Sequence, residues 1–267
     1  MFKKIIALTM GSLIASSSAI AAIKTESVEY TFDGKTMEGY LAYDDSKKTP
    51  GPGIILVPDY WGLSQYDKDK AEQLAKQGYV AFAVDMYGKG IRPQDAKEAG
   101  QFSSQYTKNF DLWRSDIMAA YDTFKAMKMV NPKKILVMGY CFGGATALLL
   151  ARTGVPLVGT ALFHPSLICE TCRLKGPASD LKKIKGPVLA MIGEDDPVAP
   201  LAERTAFRDE MKKAHVPLTL ITYKGVVHAF THPNHPGQDT KVVDYNEAAD
   251  KDSWMSFEQF LKKVFKK

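Results

Sequence analysis

Short apolar runs recur along the chain, and helical stretches separate them. Each run holds four to seven residues with few polar positions: Ile54–Val57, Val80–Val84, Ile135–Met138, Leu157–Phe163, Val188–Ile192 and Leu218–Tyr223. Near-continuous apolar runs of this length are typical of strands in a parallel sheet that is covered on both faces. The alternation of such strands with helices predicts an α/β protein with a doubly wound, mostly parallel sheet and helices on both faces.

Two of the intervening stretches have a clear apolar helical face. One face consists of Trp113, Ile117, Ala120, Tyr121 and Phe124, and the other of Trp254, Phe257, Leu261 and Val264. Their spacing of three and four residues predicts amphipathic helices. Gly78 is suited to end a helix and Pro200 to begin one. Before the first apolar run, polar and apolar residues alternate on both sides of Asp33-Gly34, which predicts an antiparallel hairpin from Ser27 to Asp44.

The first 22 residues have the order of a secretory signal peptide. Lys3 and Lys4 precede an apolar run, and Ala19-Ile20-Ala21 resembles a cleavage site. The run is shorter than the roughly 20 residues that a membrane span needs, and no later run reaches that length. We therefore expect removal of residues 1–22, although an uncleaved anchor is the alternative. Residues 23–267 would then form one domain in the periplasm or outside the cell.

Charge and composition exclude few functions but disfavour a nucleic-acid partner. The formal net charge is +5 and falls to +3 without Lys3 and Lys4. Basic and acidic residues are interspersed, as in Asp67-Lys68-Asp69-Lys70, rather than gathered in a basic stripe. We expect a monomer with a small-molecule substrate and no cofactor.

The strongest chemical motif surrounds Cys141. The run Ile135–Met138 leads into Gly139-Tyr140-Cys141-Phe142-Gly143-Gly144 and then into a helical stretch. A strand, a sharp turn with flanking glycines and a helix form the nucleophile elbow of α/β-hydrolases, here with Cys in the place of Ser. The start of a helix also favours a thiolate. A buried structural cysteine is the alternative, but the glycines favour a nucleophile.

The acid and the base of a triad should follow the nucleophile along the chain. Three acids compete in the loop after Val188–Ile192, namely Glu194, Asp195 and Asp196, of which Asp196 could instead cap a helix. His228 follows the last apolar run by a short turn, so its imidazole is expected to reach back to Cys141.

The loop after Ile54–Val57 is expected to complete the site. Backbone N–H groups of Tyr60 and Phe142 are candidates for the oxyanion hole. The aromatic rings of Tyr60 and Trp61 are expected to line the pocket, although they could belong to the core. Asp59 has two open interpretations: it could hold the resting thiol, or it could tie the loop to a backbone amide.

The other histidines and cysteines have less specific roles. His164 ends a strand and is expected to border the pocket. His232 and His235 have the spacing of a metal pair, but their loop offers no nearby pair of carboxylates, so we expect no metal site. Cys169 and Cys172 are expected to pair as a disulfide after export, which would leave Cys141 as the free thiol.

At these residues the sequence resembles the dienelactone hydrolase family, which has the α/β-hydrolase fold. Five segments spread over most of the chain carry the resemblance: Pro58-Asp59-Tyr60-Trp61-Gly62, Val84-Asp85-Met86-Tyr87-Gly88, Gly139-Tyr140-Cys141-Phe142-Gly143-Gly144, Gly193-Glu194-Asp195 and His228-Ala229-Phe230. The resemblance implies a Cys141, His228 and Asp195 triad that cleaves an ester or lactone, and it places Asp195 first among the three acids.

The sequence departs from the family at two places. Asp59 stands where the family usually has Glu, with a role in activating the thiol. Lys89 and His232 stand at the positions that correspond to two arginines that grip a substrate carboxylate, and Arg92 lies close enough to substitute. A hydrolase of small esters or lactones is therefore expected rather than one for the family's namesake substrate. The alternatives are a catalytically weak binding protein on the same fold, a peptidase or acyltransferase, and a thiol-redox protein built on Cys169 and Cys172.

Overall fold

The computed structural model describes residues 23–238 and 240–266, so the predicted signal peptide, residues 1–22, lies outside the described residues. The strands are β1 Ile23–Phe32, β2 Lys35–Asp44, β3 Gly51–Val57, β4 Val80–Ala83, β5 Val130–Tyr140, β6 Gly159–Phe163, β7 Ile168–Cys169, β8 Leu174–Lys175, β9 Val188–Gly193 and β10 Leu218–Tyr223. Eight of them form one sheet in the order β1-β2-β4-β3-β5-β6-β9-β10, while β7 and β8 form a small separate pair. The six predicted apolar runs all lie in the large sheet, and β4, β3, β5, β6, β9 and β10 are parallel to one another. The predicted α/β architecture is confirmed.

The helices cover both faces of this sheet. They are α1 Gln65–Lys76, α2 Ala96–Thr107, α3 Phe110–Lys125, α4 Phe142–Arg152, α5 Leu201–Lys213 and α6 Glu247–Phe265, with a 3-10 helix at Ala178–Lys183. One apolar layer includes Trp113 and Phe207, and the other includes Leu74 and Phe257. The two predicted helical faces lie in α3 and α6. As expected, α1 ends just before Gly78 and α5 begins directly after Pro200.

The predicted hairpin is formed by β1 and β2. Phe32 pairs with Lys35, so Asp33 and Gly34 are the two turn residues. Both have positive φ, 49° and 72°, which is the conformation that gives a two-residue turn the twist of its strands. The hairpin adds an antiparallel edge to the sheet through β2 and β4.

Packing between α3 and α4 positions the start of α4. The ring of Trp113 stacks on Phe142 with centroids 5.0 Å apart, and its Nε1 donates to Oγ1 of Thr146 at 2.8 Å. Both contacts are buried, so the first turn of α4 is held from the side opposite its strand. Within the described part of the chain, no helix is both long and apolar enough to cross a membrane.

Candidate active site

Cys141 lies in a sharp turn between β5 and α4. Its φ is 51°, which is a strained value for a residue with a side chain, and its N–H donates to the carbonyl of Phe163 at 3.0 Å. A Cβ at Gly139 would lie 2.1 Å from the carbonyl oxygen of Gly143, and one at Gly143 would lie 2.2 Å from the carbonyl oxygen of Pro58. The glycines are therefore required for the strand and helix to approach, as the nucleophile-elbow prediction implies.

His228 and Asp196 form a buried pair beside the elbow. Nδ1 of His228 donates to Oδ2 of Asp196 at 2.7 Å, and the exposed fractions of the two side chains are 5% and 0%. The other ring nitrogen, Nε2, is buried and has no nitrogen or oxygen partner among the described residues. The ring is therefore oriented by one carboxylate and has its second nitrogen free on the side of Cys141.

The prediction that Asp195 is the partner of His228 is wrong. The N–H of Asp195 donates to the carbonyl of Val226 at 3.0 Å, and its side chain is exposed. This backbone contact turns the chain so that the next carboxylate, that of Asp196, faces inward. Oδ1 of Asp196 also accepts from the N–H of Val198 at 2.7 Å, so this residue both stabilises the turn and orients the imidazole.

The acidic loop is held in place by a buried arginine. Nη1 of Arg204, on α5, donates to the carbonyls of Gly193 and Glu194 at 2.7 and 2.9 Å. A Cβ at Gly193 would lie 2.1 Å from the carbonyl oxygen of Val226, so the loop before His228 passes directly against the end of β9. This close approach brings His228 and Asp196 together.

The electrostatics of the pair favour a protonated imidazole. Burial lowers the pKa of His228, but the negative charge of a Cys141 thiolate and the hydrogen bond to Asp196 raise it by more, and the result is about 10. An imidazole with a raised pKa is suited to hold a proton beside the sulfur of Cys141.

A cavity of about 490 Å³ opens over Cys141 and His228. Its wall comes from the elbow, α2, the loop around β8 and the segment before α6. The lining residues are Tyr60, Gly100, Ser103, Ser104, Thr107, Cys141, Phe142, Ser166, Arg173, Leu174, Val198, His228, His235, Val242 and Val243. Among these described residues there is no carboxylate and one arginine, so the cavity suits a neutral or anionic ligand.

Tyr60 and Phe142, the two residues predicted to provide the oxyanion hole, both line this cavity. Phe142 is the first residue of α4, where a backbone N–H has no partner within its own helix. No described residue accepts a backbone hydrogen bond from the N–H of Tyr60. The two amides therefore remain donors that could bind an oxygen next to Cys141.

Asp59 contacts the loop and a histidine rather than the thiol. Oδ1 accepts from the N–H of Trp61 at 2.7 Å, and Oδ2 lies 3.3 Å from Nε2 of His235. Of the two interpretations of Asp59 drawn from the sequence, the structure agrees with the one in which its carboxylate binds a backbone amide of the loop. The ring of Trp61 does not line the cavity but packs against Tyr60 and His235. The expectation for Trp61 is thus corrected, while Tyr60 lines the pocket as predicted.

His164 lies behind His228 and not at the pocket, contrary to expectation. It is 2% exposed, its Nε2 lies 2.9 Å from Oγ1 of Thr231, and its ring meets that of His228 edge-to-face at 5.2 Å. Burial, together with the positive charge of His228, lowers the pKa of His164 well below its ordinary value, so its ring is neutral. It supports the imidazole by packing.

The two positions that correspond to the substrate-binding arginines lie outside the cavity. Nζ of Lys89 pairs with Glu29 at 2.5 Å and Glu38 at 3.4 Å on the hairpin side of the molecule. His232 packs against Tyr66, and burial lowers its pKa to about 4, so it carries no positive charge at pH 7. Arg92 donates to backbone carbonyls, including that of Leu63 at 2.6 Å. Neither Lys89 nor His232 lines the cavity around Cys141 and His228.

Arg173 is the cation that sequence reasoning missed. Its side chain is at the exposed rim of the cavity, where Nη2 donates to the carbonyl of Val198 at 3.1 Å and its backbone N–H donates to Oε1 of Glu203 at 2.9 Å. Guanidinium has five N–H donors, so most remain available to a ligand. The sequence signal for this residue is its position directly after Cys172, a predicted half-cystine.

The predicted disulfide between Cys169 and Cys172 is present, and Cys141 is the free cysteine. Both half-cystines are buried, with exposures of 0% and 1%. The disulfide therefore supports the loop that ends in Arg173, and its burial does not favour a redox role.

The family assignment follows from the sequence over nearly the whole described domain. A model of the dienelactone hydrolase family matches residues 37–265. The chain belongs to the dienelactone hydrolase family. It is therefore a hydrolase with the α/β-hydrolase fold, as the motifs around Cys141 and His228 predict.

Relatives from several organisms are similar over most of their length. A relative from Saccharolobus solfataricus that carries the name putative carboxymethylenebutenolidase is 30% identical, with 89% of this chain and 98% of the relative covered. A relative from Bradyrhizobium, named as a probable 2-oxo-3-(5-oxofuran-2-ylidene)propanoate lactonase, is 27% identical over 78% of this chain and 86% of its own. The crystal structure of a dienelactone hydrolase-like promiscuous phosphotriesterase from metagenomic libraries superposes with a TM-score of 0.85 at 30% identity, covering 91% of this chain and 99% of that one.

Proposed function

We propose that this family member is an exported thiol hydrolase of small esters or lactones, with Cys141 as nucleophile, His228 as base and acid, and Asp196 as the orienting carboxylate. The arrangement of these three residues supports the proposal. Cys141 and His228 face one cavity, and the buried carboxylate of Asp196 holds the far nitrogen of the imidazole at 2.7 Å. A nucleophile, a base and a group that orients the base are the parts that acyl transfer requires.

The reaction would proceed in two balanced steps. The thiolate of Cys141 attacks the carbonyl carbon, and the N–H groups of Tyr60 and Phe142 bind the oxygen that becomes negative. Collapse of this intermediate breaks the carbon–oxygen bond, and His228 gives its proton to the leaving alkoxide. His228 then takes a proton from water, whose oxygen attacks the thioester. The carboxylic acid leaves and the thiolate–imidazolium pair returns.

The substrate we propose is a small ester or lactone that bears an anionic group. The cavity of about 490 Å³ is within the range of small-molecule sites, and its lining combines apolar residues with the hydroxyls of Ser103, Ser104 and Thr107. Arg173 is the cation at its rim, and a guanidinium can bind a carboxylate through two N–H groups. The names of the Saccharolobus and Bradyrhizobium relatives, a butenolidase and a lactonase, support a lactone.

Export through residues 1–22 is part of the proposal. Supporting it are the order of Lys3, Lys4, the apolar run and the Ala-Ile-Ala sequence, and also the Cys169–Cys172 disulfide, since such bonds persist in oxidising compartments. The amino-terminal sequence of the protein recovered from a periplasmic fraction would begin near residue 23. Recovery of an uncleaved chain from the cytoplasm would overturn this part alone.

The decisive experiment is turnover of p-nitrophenyl acetate, simple lactones and a dienelactone by the wild type and by Cys141→Ala. We expect the variant to lose at least about 10³-fold in kcat/KM, because no other group can form the thioester. Mass spectrometry of the wild type quenched during turnover should find an acyl group on the peptide that contains Cys141.

Two results would contradict the mechanism. Equal turnover by the wild type and Cys141→Ala would exclude the nucleophile. Absence of turnover in a folded wild type with a free Cys141 would favour a binding protein on the same fold.

A further inference from the structure

Three potential metal ligands meet beside the cavity, outside the Cys141, His228 and Asp196 set. Asp59 comes from the loop after β3, whereas His232 and His235 come from the loop between β10 and α6. One carboxylate oxygen and one ring nitrogen from each histidine all lie within 4.8 Å of one another. The sequence offers only the His-x-x-His spacing, and the fold adds a carboxylate from a distant part of the chain.

The separations of these atoms suit a divalent transition ion. Zn²⁺ binds carboxylate oxygen and imidazole nitrogen at about 2.0–2.2 Å in tetrahedral geometry, so neighbouring ligand atoms lie roughly 3.3 Å apart. Oδ2 of Asp59 and Nε2 of His235 are already 3.3 Å apart. The ligand nitrogen of His232 lies at most 4.8 Å from the other two ligand atoms, and it would need to move to about 3.3 Å from each of them. That movement is small for a side chain on a Pro- and Gly-containing loop.

Unsatisfied polar atoms in the same cluster point to a ligand. Nδ1 of His232 is buried and has no hydrogen-bond partner among the described residues, and the same holds for Nε1 of Trp61, whose ring meets that of His235. Buried polar atoms are normally paired, because leaving one without a partner costs free energy. A metal ion would accept the lone pair of a neutral histidine nitrogen and so provide a partner that the buried ring of His232 lacks.

The contacts of His235 indicate what metal binding must change. The N–H of Gly237 donates to Nδ1 of His235 at 3.1 Å, so the ring proton is on Nε2, facing Asp59. An ion that binds Nε2 displaces this proton, and the ring then carries a proton on Nδ1 instead. The Gly237 amide must turn away from Nδ1, which the glycine backbone permits.

We propose that Asp59, His232 and His235 bind a divalent transition ion, with Zn²⁺ as the best match to two imidazoles and one carboxylate. Three protein ligands leave at least one coordination position open to water. The ion would join the loop that carries Tyr60 to the loop that carries His235, and both residues line the cavity. Metal binding would therefore stabilise the fold and fix one wall of the pocket, whereas the proposed thiol chemistry does not depend on it.

Zn²⁺ titration by calorimetry tests this site without relying on activity. The metal-stripped wild type and Cys141→Ser should each bind one ion per chain and gain thermal stability. Asp59→Asn and His232→Ala should each weaken binding at least tenfold. The matched control is His215→Asn, which replaces a histidine far from the cluster at a positive-φ position that tolerates Asn, and it should bind like the wild type.

Co²⁺ spectroscopy distinguishes this site from the thiol. Co²⁺ bound to nitrogen and oxygen ligands should give visible bands without the near-ultraviolet charge-transfer band of a thiolate ligand. Circular dichroism of His232→Ala, with His232→Asn as a second variant, checks that the fold is retained. The proposal is overturned if the wild type binds no ion, if His232→Ala and Asp59→Asn bind it unchanged, or if Cys141→Ser abolishes binding.

Discussion

Oδ2 of Asp196 lies 2.7 Å from Nδ1 of His228, in a position from which solvent is excluded. The neighbouring carboxyl, that of Asp195, lies in the same loop but is exposed and makes no contact with the imidazole. Two adjacent residues of the same type therefore have different roles, and this difference provides a matched test of the proposed triad.

Asp196→Asn should lower kcat/KM for an ester by roughly 10²–10⁴-fold, because an amide does not stabilise an imidazolium or hold its tautomer. The same change should lower the pKa of His228, since the charge and hydrogen bond of Asp196 both raise it. The pH profile of kcat/KM measures both effects. Asp195→Asn is the control and should stay within about twofold of the wild type. If the Asp195 variant were the weaker enzyme, the assignment of the acid would be reversed.

Arg173→Gln should raise KM for an ester that carries a carboxylate by about 10–100-fold, as expected for the loss of a hydrogen bond between charged groups. A neutral ester of similar size should be hydrolysed as by the wild type, and added salt should reduce the difference between the two substrates. Lys89→Gln is the matched control, because Lys89 is committed to Glu29 and Glu38 away from the cavity. Equal KM changes for neutral and anionic esters would argue against charge recognition.

Replacement of both half-cystines, Cys169→Ser with Cys172→Ser, should lower the free energy of unfolding by roughly 2 kcal/mol, the entropic value for a very short loop. Because Arg173 follows Cys172 directly, KM for the anionic ester should rise in the same variant. Urea unfolding and ester kinetics measure the two effects. Unchanged KM together with lower stability would mean that Val198 and Glu203 suffice to position Arg173.

The burial of the Asp116 carboxyl leads us to expect an unusual dependence of the free energy of unfolding on pH. It is fully buried on α3, Oη of Tyr106 lies 2.6 Å from its Oδ2, and burial raises its pKa to about 7. In the unfolded chain the carboxyl has its ordinary pKa of 3.8, so the folded state binds more protons between these two values. Stability therefore falls as the pH rises from about 4 to 7.

Asp116→Asn removes this titration and imitates the protonated acid, which can donate to Tyr106 while Tyr106 donates to the carbonyl of Met86. Urea unfolding should find the variant close to the wild type at pH 4 and more stable by roughly 1–3 kcal/mol at pH 8. Asp122→Asn, on the exposed side of the same helix, should behave like the wild type at both values. A difference that does not change with pH would refute the role of burial.

The fold could be predicted from the sequence because its signals are local. An apolar run such as Ile54–Val57 identifies a strand buried on both faces without reference to any distant residue. The elbow around Cys141 consists of consecutive residues, with glycines at the positions where the backbones of strand and helix are in contact. The position of His228 is predictable for the same reason, since it follows the last strand by a short turn.

The errors arise where side-chain direction depends on distant contacts. The choice between Asp195 and Asp196 is made by a hydrogen bond to Val226, which comes from another part of the chain. The family resemblance lists Lys89 among the substrate-binding positions, whereas its Nζ pairs with Glu29 and Glu38 of the hairpin. Arg173 follows no periodic pattern, and its approach to the cavity depends on the disulfide and on α5.

The backbone contacts at Gly143 leave no room for substitutions at the elbow, whereas the opposite wall of the cavity can be substituted. Because a Cβ at Gly143 would lie 2.2 Å from the carbonyl oxygens of Val57 and Pro58, any larger residue there would separate the elbow from the loop that carries Tyr60. The far wall of the cavity, including Ser103, Arg173 and Val242, comes from segments that take no part in this contact. Libraries restricted to that wall should yield enzymes with new substrate preferences that still fold, whereas random changes at the elbow should yield mostly insoluble protein.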